Sequence, residues 1–227
     1  STPLYSSAAS DVYKRQVRDP FLLSMTPIAN EQFLSFVTSG NYTPHPPWVQ
    51  VGWARYLAAW DSTPDQQPVR FMEGQADHPV LHVSWHDARA FCTWHSGRDR
   101  VDMDLPTEEE WEYAARGQLG RRYPWGDRFD SERANTREGG RWHTTAVRVY
   151  AGTGAGPFGT LDMAGNVWQW TASRFEPGAN TDQTIGRSLR GGGWRSSAAD
   201  VHAARRLRGT PEGRYDVVGF RVKRPLK

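Results

Sequence analysis

Few side chains in this sequence are spaced for chemistry. Cys92 is the single cysteine in 227 residues, so neither an intramolecular disulfide nor a multi-cysteine metal site is open to the chain. Beside Ala88 and Phe91 on an expected helix, a lone thiol reads as ordinary core packing. His78, His82 and His86 recur every four residues, a spacing that suggests a metal. His82, however, falls in an expected strand and His86 opens an expected helix, so the three do not share a face. They read as one buried, hydrogen-bonded His82 and two surface histidines. Glu108, Glu109 and Glu110 can be drawn as an acid pair, but acids in a first helical turn serve the helix dipole. No Gly-x-Ser-x-Gly elbow is present.

Recognition chemistry is richer. Between Trp194 and Val217 two kinds of residue alternate. Gly191, Gly192, Gly193, Ala198, Val201, Ala203, Ala204, Arg206, Pro211, Arg214, Gly219 and Phe220 read as a frame of small residues, apolar residues and arginines able to pair with acids. Trp194, Arg195, Ser196, Ser197, Ala199, Asp200 and His202 read as content, and so do Arg205, Leu207, Arg208, Thr210, Glu212, Tyr215 and Asp216. The content residues follow no amphipathic period. Tyr and Arg anchors among short polar side chains suit a solvated surface that binds a protein or peptide.

The elements that must position these residues are short. Phe21–Ser24 is expected as a strand, and Asn30–Val37 as a helix with Phe33, Leu34 and Val37 on its inner face. Asn41–Asp61 reads as a loop with a helical turn near Gly52–Ala59, and Gln66–Glu73 as a strand. Pro79–Val83 is expected as a buried strand. Ser84 and Asp87 then cap a helix carrying Ala88, Phe91, Cys92 and Trp94 inward and ending at Gly97. Thr107 and Glu110 form a capping box for a helix closed by Gly117, and Tyr123–Asp127 reads as a tight turn. Short strands are expected at Ala146–Tyr150, Phe158–Leu161, Val167–Thr171, Ser188–Arg190, Val201–Ala204 and Gly219–Val222. Helices early and strands late give an α+β domain.

Composition narrows the function classes. Eleven Trp, nine Phe and eight Tyr supply core material in a chain only 37% hydrophobic. Lys14, Lys223 and Lys227 are the only lysines, so the net charge of +3 is carried by arginine, which favours structural pairs with carboxylates. No nucleic-acid motif accompanies that charge, and nucleic acid is not an expected partner. No apolar run reaches the length that spans a bilayer, so no membrane partner is expected. Residues 1–16 fit no element and are expected to be a non-native or disordered leader; residues 17–227 are expected to form a single domain.

Seven motifs then fall in order: His82-Val-Ser-Trp85, Leu105-Pro-Thr-Glu-Glu-Glu-Trp-Glu-Tyr-Ala-Ala-Arg116, Tyr123-Pro-Trp-Gly126, Ala134-Asn135, Asp162-Met-Ala-Gly-Asn-Val-Trp-Gln-Trp170, Leu189-Arg-Gly-Gly-Gly-Trp194 and Val218-Gly-Phe-Arg-Val222. Over roughly residues 20–224 the chain resembles the formylglycine-generating-enzyme (sulfatase-modifying factor) family. The resemblance implies a C-type-lectin-like fold, with early helices packed on short twisted antiparallel strands and long loops. The family holds copper oxidases, the lectin-like half of iron-dependent sulfoxide synthases, and variable proteins of diversity-generating retroelements. Fold alone does not choose among them.

Site residues do discriminate. The oxidase needs two thiolates to hold Cu(I), and the alignment places Ser196 and Val201 at those positions, so copper is not expected. The synthases take iron on a separate helical domain, which this sequence is expected to lack. In the variable proteins the diversified region just precedes a Gly-Phe-Arg-Val ending, matching residues 194–217 here. The reading is a non-catalytic display protein of that kind. The alternatives are an oxidase-like or sulfoxide-synthase-related enzyme without the thiol pair, and a regulatory module of a longer chain. Asp162, Gly165, Val167 and Gln169 match a calcium-binding loop of the family, which implies a structural Ca²⁺ held by two side-chain oxygens and two carbonyls. Asp162 and Gln169 stand where the family has Asn and Glu, and the alternative is a metal-free tight turn at Gly165 and Asn166. Asn135 and Thr136 match the start of a second calcium loop whose later acidic ligand is not evident.

Overall fold

The computed structural model describes residues 19–39, 75–175 and 186–226. The expected leader 1–16, the loop 41–61 and the strand 66–73 lie outside them.

Helices form where local signals are strongest. Helix α1 is Asn30–Thr38, and Gln32 Oε1 accepts from the backbone N–H of Ala29 at 2.8 Å. Helix α2 is Trp85–Asp99. Its first turn is closed reciprocally: Ser84 N–H donates to Asp87 Oδ2 at 2.7 Å, and Asp87 N–H to Ser84 Oγ at 3.2 Å. Helix α3 is Glu108–Arg116, with the same box between Thr107 and Glu110 at 2.7 and 3.2 Å.

The strands are β1 (Phe21–Leu23), β2 (Trp168–Phe175), β3 (Gly186–Arg190), β4 (Arg206–Gly209), β5 (Val218–Phe220) and β6 (Lys223–Pro225). Strands β1 and β6 pair antiparallel. The main sheet runs β4-β3-β2-β5, with β2–β3 and β3–β4 antiparallel. Strand β5 lies parallel to β2, placing Trp168 opposite Val218 and Trp170 opposite Phe220. Helices on a small sheet joined by long irregular connections give the α+β, C-type-lectin-like architecture expected from the sequence.

Three clusters form the core. The largest joins Phe33 and Phe36 of α1, Phe91 and Cys92 of α2, and Trp168, Trp170, Leu189 and Phe220 of the sheet. Rings interlock there, with Phe33 and Phe91 centroids 5.9 Å apart and Phe91 and Phe220 5.4 Å apart. Buried indoles find acceptors: Trp170 Nε1 donates to Val83 O and Trp85 Nε1 to Thr171 O, both at 2.9 Å. A second cluster sets Trp111, Ala114 and Ala115 of α3 against Met163 and Ala203. A third joins Tyr123, Ala134, Ala164 and Val201.

Several expected elements differ. Leu34 is exposed and Phe36 takes the inner position on α1. Helix α2 continues through Gly97 to Asp99 and ends on a left-handed Arg100. Residues 79–83 form no strand beyond a bridge between Ala29 and Pro79, because His82 turns the chain at φ 56°. Residues 146–150, 158–161 and 201–204 are turns and bends.

Candidate functional site

The candidate recognition loop begins at the end of β3, and buried ionic contacts hold it from beneath. Arg190 is fully buried. Its guanidinium donates to Ala203 O at 2.9 Å and Ala204 O at 3.2 Å and pairs with Glu108 and Glu112 of α3. Arg206 also pairs with Glu108. Farther along, Arg214 grips both oxygens of Asp87, at 2.6 and 3.1 Å, and donates to His82 O at 3.0 Å. The capping acid of α2 therefore also fixes the far end of the loop. Gly192 sits at φ 76°, where a Cβ would come within 2.6 Å of Val201. The backbone thus approaches Val201 as only glycine allows.

Over this frame the sequence-selected residues divide by exposure. Arg195, Ala199, Arg205, Leu207, Thr210 and Glu212 are exposed. Ser196, Ser197, Asp200, His202, Arg208, Tyr215 and Asp216 are partly exposed. Trp194 is different: it is 8% exposed, lies beneath the Arg195 guanidinium at 4.2 Å, and its backbone N–H donates to Asn166 O at 3.0 Å. Its buried indole N–H has no acceptor among the described residues. Rim contacts shape the outer face. Arg195 pairs with Asp216 at 2.8 Å, Ser197 Oγ donates to Asp200 at 2.8 Å, and Thr210 Oγ1 and Tyr215 Oη lie 3.1 Å apart. His202 is half-buried; desolvation, then the nearby arginines led by Arg122 and Arg205, hold its imidazole below the usual pKa.

The two positions aligned with the oxidase thiols carry no sulfur. The Ser196 hydroxyl accepts from Gly193 N–H at 3.0 Å, which closes a tight turn. Val201 is wholly buried beside Tyr123, Ala134 and Ala164. Cys92 lies in a different core cluster, at 2% exposure between α2 and the sheet, and burial pushes its thiol pKa far up.

A cleft of about 690 Å³ adjoins the loop, lined by Trp125, Asp127, Arg128, Phe129, Asp130, Ser131, Arg133 and Glu138. It touches the loop through Glu138, whose Oε1 accepts from Ala198 N–H at 2.9 Å. Tyr123 Oη also donates to Ala198 O at 3.0 Å. From sequence, the Tyr123–Asp127 turn was the sole signal of this wall; its aromatic residues gave no hint of a concave surface.

The histidines do not converge. His82 is exposed rather than buried, since the turn at that residue points away from the core. His78 shares a hydrogen bond with Thr144 Oγ1 at 2.9 Å, and His86 lies 3.7 Å from Glu212. Among the described residues no three His, Cys, Asp or Glu side chains gather around a common point for a metal.

The 162–169 loop packs under the start of the recognition loop. Asp162 and Asn166 adopt left-handed backbone at φ 53° and 64°, conformations that Asp and Asn tolerate best after glycine. The Asn166 side chain is fully engaged. Its Oδ1 accepts from Thr145 N–H at 3.0 Å, and its Nδ2 donates to Thr145 O and Asp162 Oδ2, both at 3.1 Å. Burial pushes the Asp162 carboxyl up to about 7, against the opposing pull of Asn166 and Arg221. Gly165 N–H donates to Gly191 O at 2.9 Å, tying this loop to the end of β3.

Comparison with known proteins agrees with this architecture. The profile of the sulfatase-modifying factor enzyme 1-like domain matches residues 6–226. The chain is 42% identical over 159 residues to a Bos taurus protein named inactive C-alpha-formylglycine-generating enzyme 2, covering 64% of this chain and 50% of the relative. It therefore spans half of that relative's length. It is 35% identical over 240 residues to the Mus musculus protein of the same name, covering 89% of this chain and 74% of that one. Among solved structures, Treponema denticola variable protein 1 superposes with a TM-score of 0.65 over 91% of this chain and 84% of its own, at 20% identity, which is a likeness of fold.

Proposed function

The chain belongs to the family of sulfatase-modifying factor enzyme 1-like domains, and from that premise we propose that it binds a partner without turning one over. One observation carries the reading. Where the family's oxidases hold two thiolates, this chain has a turn-closing Ser196 hydroxyl and a buried Val201, and its one cysteine belongs to another part of the core. A hydroxyl and an isopropyl group cannot supply the soft ligands that Cu(I) takes.

The partner is a protein or peptide. Arg195, Leu207, Glu212 and Tyr215 offer charged, apolar and aromatic contacts on a loop whose frame is fixed beneath it. A rigid frame lowers the entropy lost on binding, and Tyr and Arg are favoured anchors.

In its finer form, the chain is the variable protein of a diversity-generating retroelement, with residues 194–217 as the diversified region. Among the content residues all but Trp194 are exposed or partly exposed, which supports this version, because exposed positions accept substitution without disturbing the core. Sequencing the DNA around the gene tests it. A reverse transcriptase and a near-copy template repeat of the 194–217 coding segment are expected nearby; absence of both contradicts it.

A further inference from the structure

We infer that the Gln169 amide does in this chain the work of a bound calcium ion, and that the 162–169 loop closes without metal. A calcium ion in such a loop gathers oxygen atoms that would otherwise repel one another, at roughly 2.3–2.6 Å each. Here those oxygens are gathered by N–H groups of the protein itself. Gly165 O accepts from Val167 N–H at 2.9 Å, and Asp162 Oδ2 accepts from Asn166 Nδ2 at 3.1 Å. Val167 O lies 3.4 Å from Gln169 Nε2, which also donates to Asp162 O at 2.6 Å. Gln169 Oε1 accepts from Trp111 Nε1 at 2.8 Å and from Arg221 Nε at 2.6 Å.

Chemistry fixes the orientation of the Gln169 amide. Indole and guanidinium nitrogens only donate, so the carbonyl oxygen must face Trp111 and Arg221. The NH₂ group must then face the carbonyls of Asp162 and Val167. With its oxygen turned to Trp111 and Arg221, Gln169 presents only N–H to the loop and offers no ligand oxygen to a cation held by Gly165 O and Val167 O. Neither Asp162 nor Gln169 leaves a buried side-chain oxygen without a partner.

Gln169 is neutral, so Asp162 is the one carboxylate among the four positions, and its Oδ2 is already held by Asn166 Nδ2 at 3.1 Å. Arg221 is fully buried and donates to Leu161 O at 2.6 Å and Ser24 O at 2.9 Å as well as to Gln169. Together with Trp111 it holds the Gln169 carbonyl turned away from the loop oxygens. The donor set therefore does not fit Ca²⁺, although the backbone path resembles one that holds it.

The test is nuclear magnetic resonance on the full chain carrying ¹⁵N-labelled glutamine. The Gln169 amide pair is identified by its nuclear Overhauser contact with the Trp111 indole proton. Its two protons are expected to be protected from solvent exchange in a calcium chelator, with shifts unchanged by millimolar calcium chloride. A saturable calcium-induced displacement of the pair, or fast solvent exchange in the chelator, overturns the inference. Gln169→Glu gives an independent reading. It removes both amide hydrogens and sets carboxylate oxygens against two carbonyls. Calcium is then expected to raise its unfolding midpoint by more than it raises that of the wild type; an equal response in both proteins contradicts the inference.

Discussion

Arg190 on β3 and Glu112 on α3 form an ion pair with both side chains sealed from solvent, at 0 and 1% exposure. The same guanidinium carries the carbonyls of Ala203 and Ala204, so one buried contact joins a helix, the sheet and the recognition loop. Removing Glu112 leaves the buried Arg190 with Glu108 alone and takes from Arg116 the acid it meets at 2.6 Å. Glu112→Ala is expected to cost roughly 3–5 kcal/mol in urea unfolding at neutral pH. Arg190→Met combined with Glu112→Leu is expected to cost less than Glu112→Ala alone, since the fully buried guanidinium goes with its acid and Glu108 keeps Arg206. A double variant weaker than the single one would show that Arg190 acts mainly through the loop carbonyls.

The division between frame and content sets different tolerances. Single changes at the exposed Arg195, Ala199, Leu207, Thr210 and Glu212 are expected to move unfolding free energy by no more than about 0.5 kcal/mol. Ala203→Leu puts bulk into a buried position against Trp111 and is expected to cost about 1–3 kcal/mol. Denaturant midpoints across such a panel check this, and a uniform spread of costs over both classes would erase the distinction.

His202 gives the loop a pH response of known sign. Its folded pKa lies below the usual value near 6.5, through desolvation first and then through Arg122, Arg205, Arg190 and Arg116. Between the folded pKa and about 6.5 the unfolded chain binds the proton more readily. Its contribution is thus fully present above the unfolded value and is lost as pH falls through the folded one. Long-range ¹⁵N titration is expected to place the His202 midpoint below that of a free histidine, and Arg205→Gln to raise it. A midpoint at or above 6.5 would mean that the arginines do not face the ring.

Local features of the fold were legible because they depend on neighbours in sequence. The capping boxes at Ser84–Asp87 and Thr107–Glu110, and the inward set Ala88, Phe91 and Cys92, form as their spacing dictates. Strand β4 was not legible. Arg206-Leu207-Arg208 has no apolar alternation, and its pairing with β3 sets Leu207 beside Leu189 while Arg206 turns to Glu108. The parallel register of β5 on β2 joins segments about fifty residues apart, which no local pattern encodes. The segment 146–150 carries apolar residues but buries Val147 and exposes Val149 within turns, as Val147 N–H bonds to Asp77 O.

The candidate site was legible in part for the same reason. Frame arginines were recognisable by type, but their acids lie far away: Arg214 meets Asp87 across 127 residues and Arg190 meets Glu112 across 78. Trp194 looked like a contact residue, and its aromatic bulk instead packs beneath Arg195. The cleft from Trp125 to Glu138 is made by two turns folding toward the loop, and no motif announces such a concavity.

The central claim is that a family frame without paired thiols binds and does not oxidise. Its most direct test is incubation of the purified full chain with Cu(I), oxygen and a cysteine-containing sulfatase-type peptide, with the peptide followed by mass spectrometry. The account predicts that the cysteine remains unconverted beyond the level seen with copper alone. Copper-dependent, multiple-turnover formation of formylglycine, surviving Cys92→Ala, would contradict it.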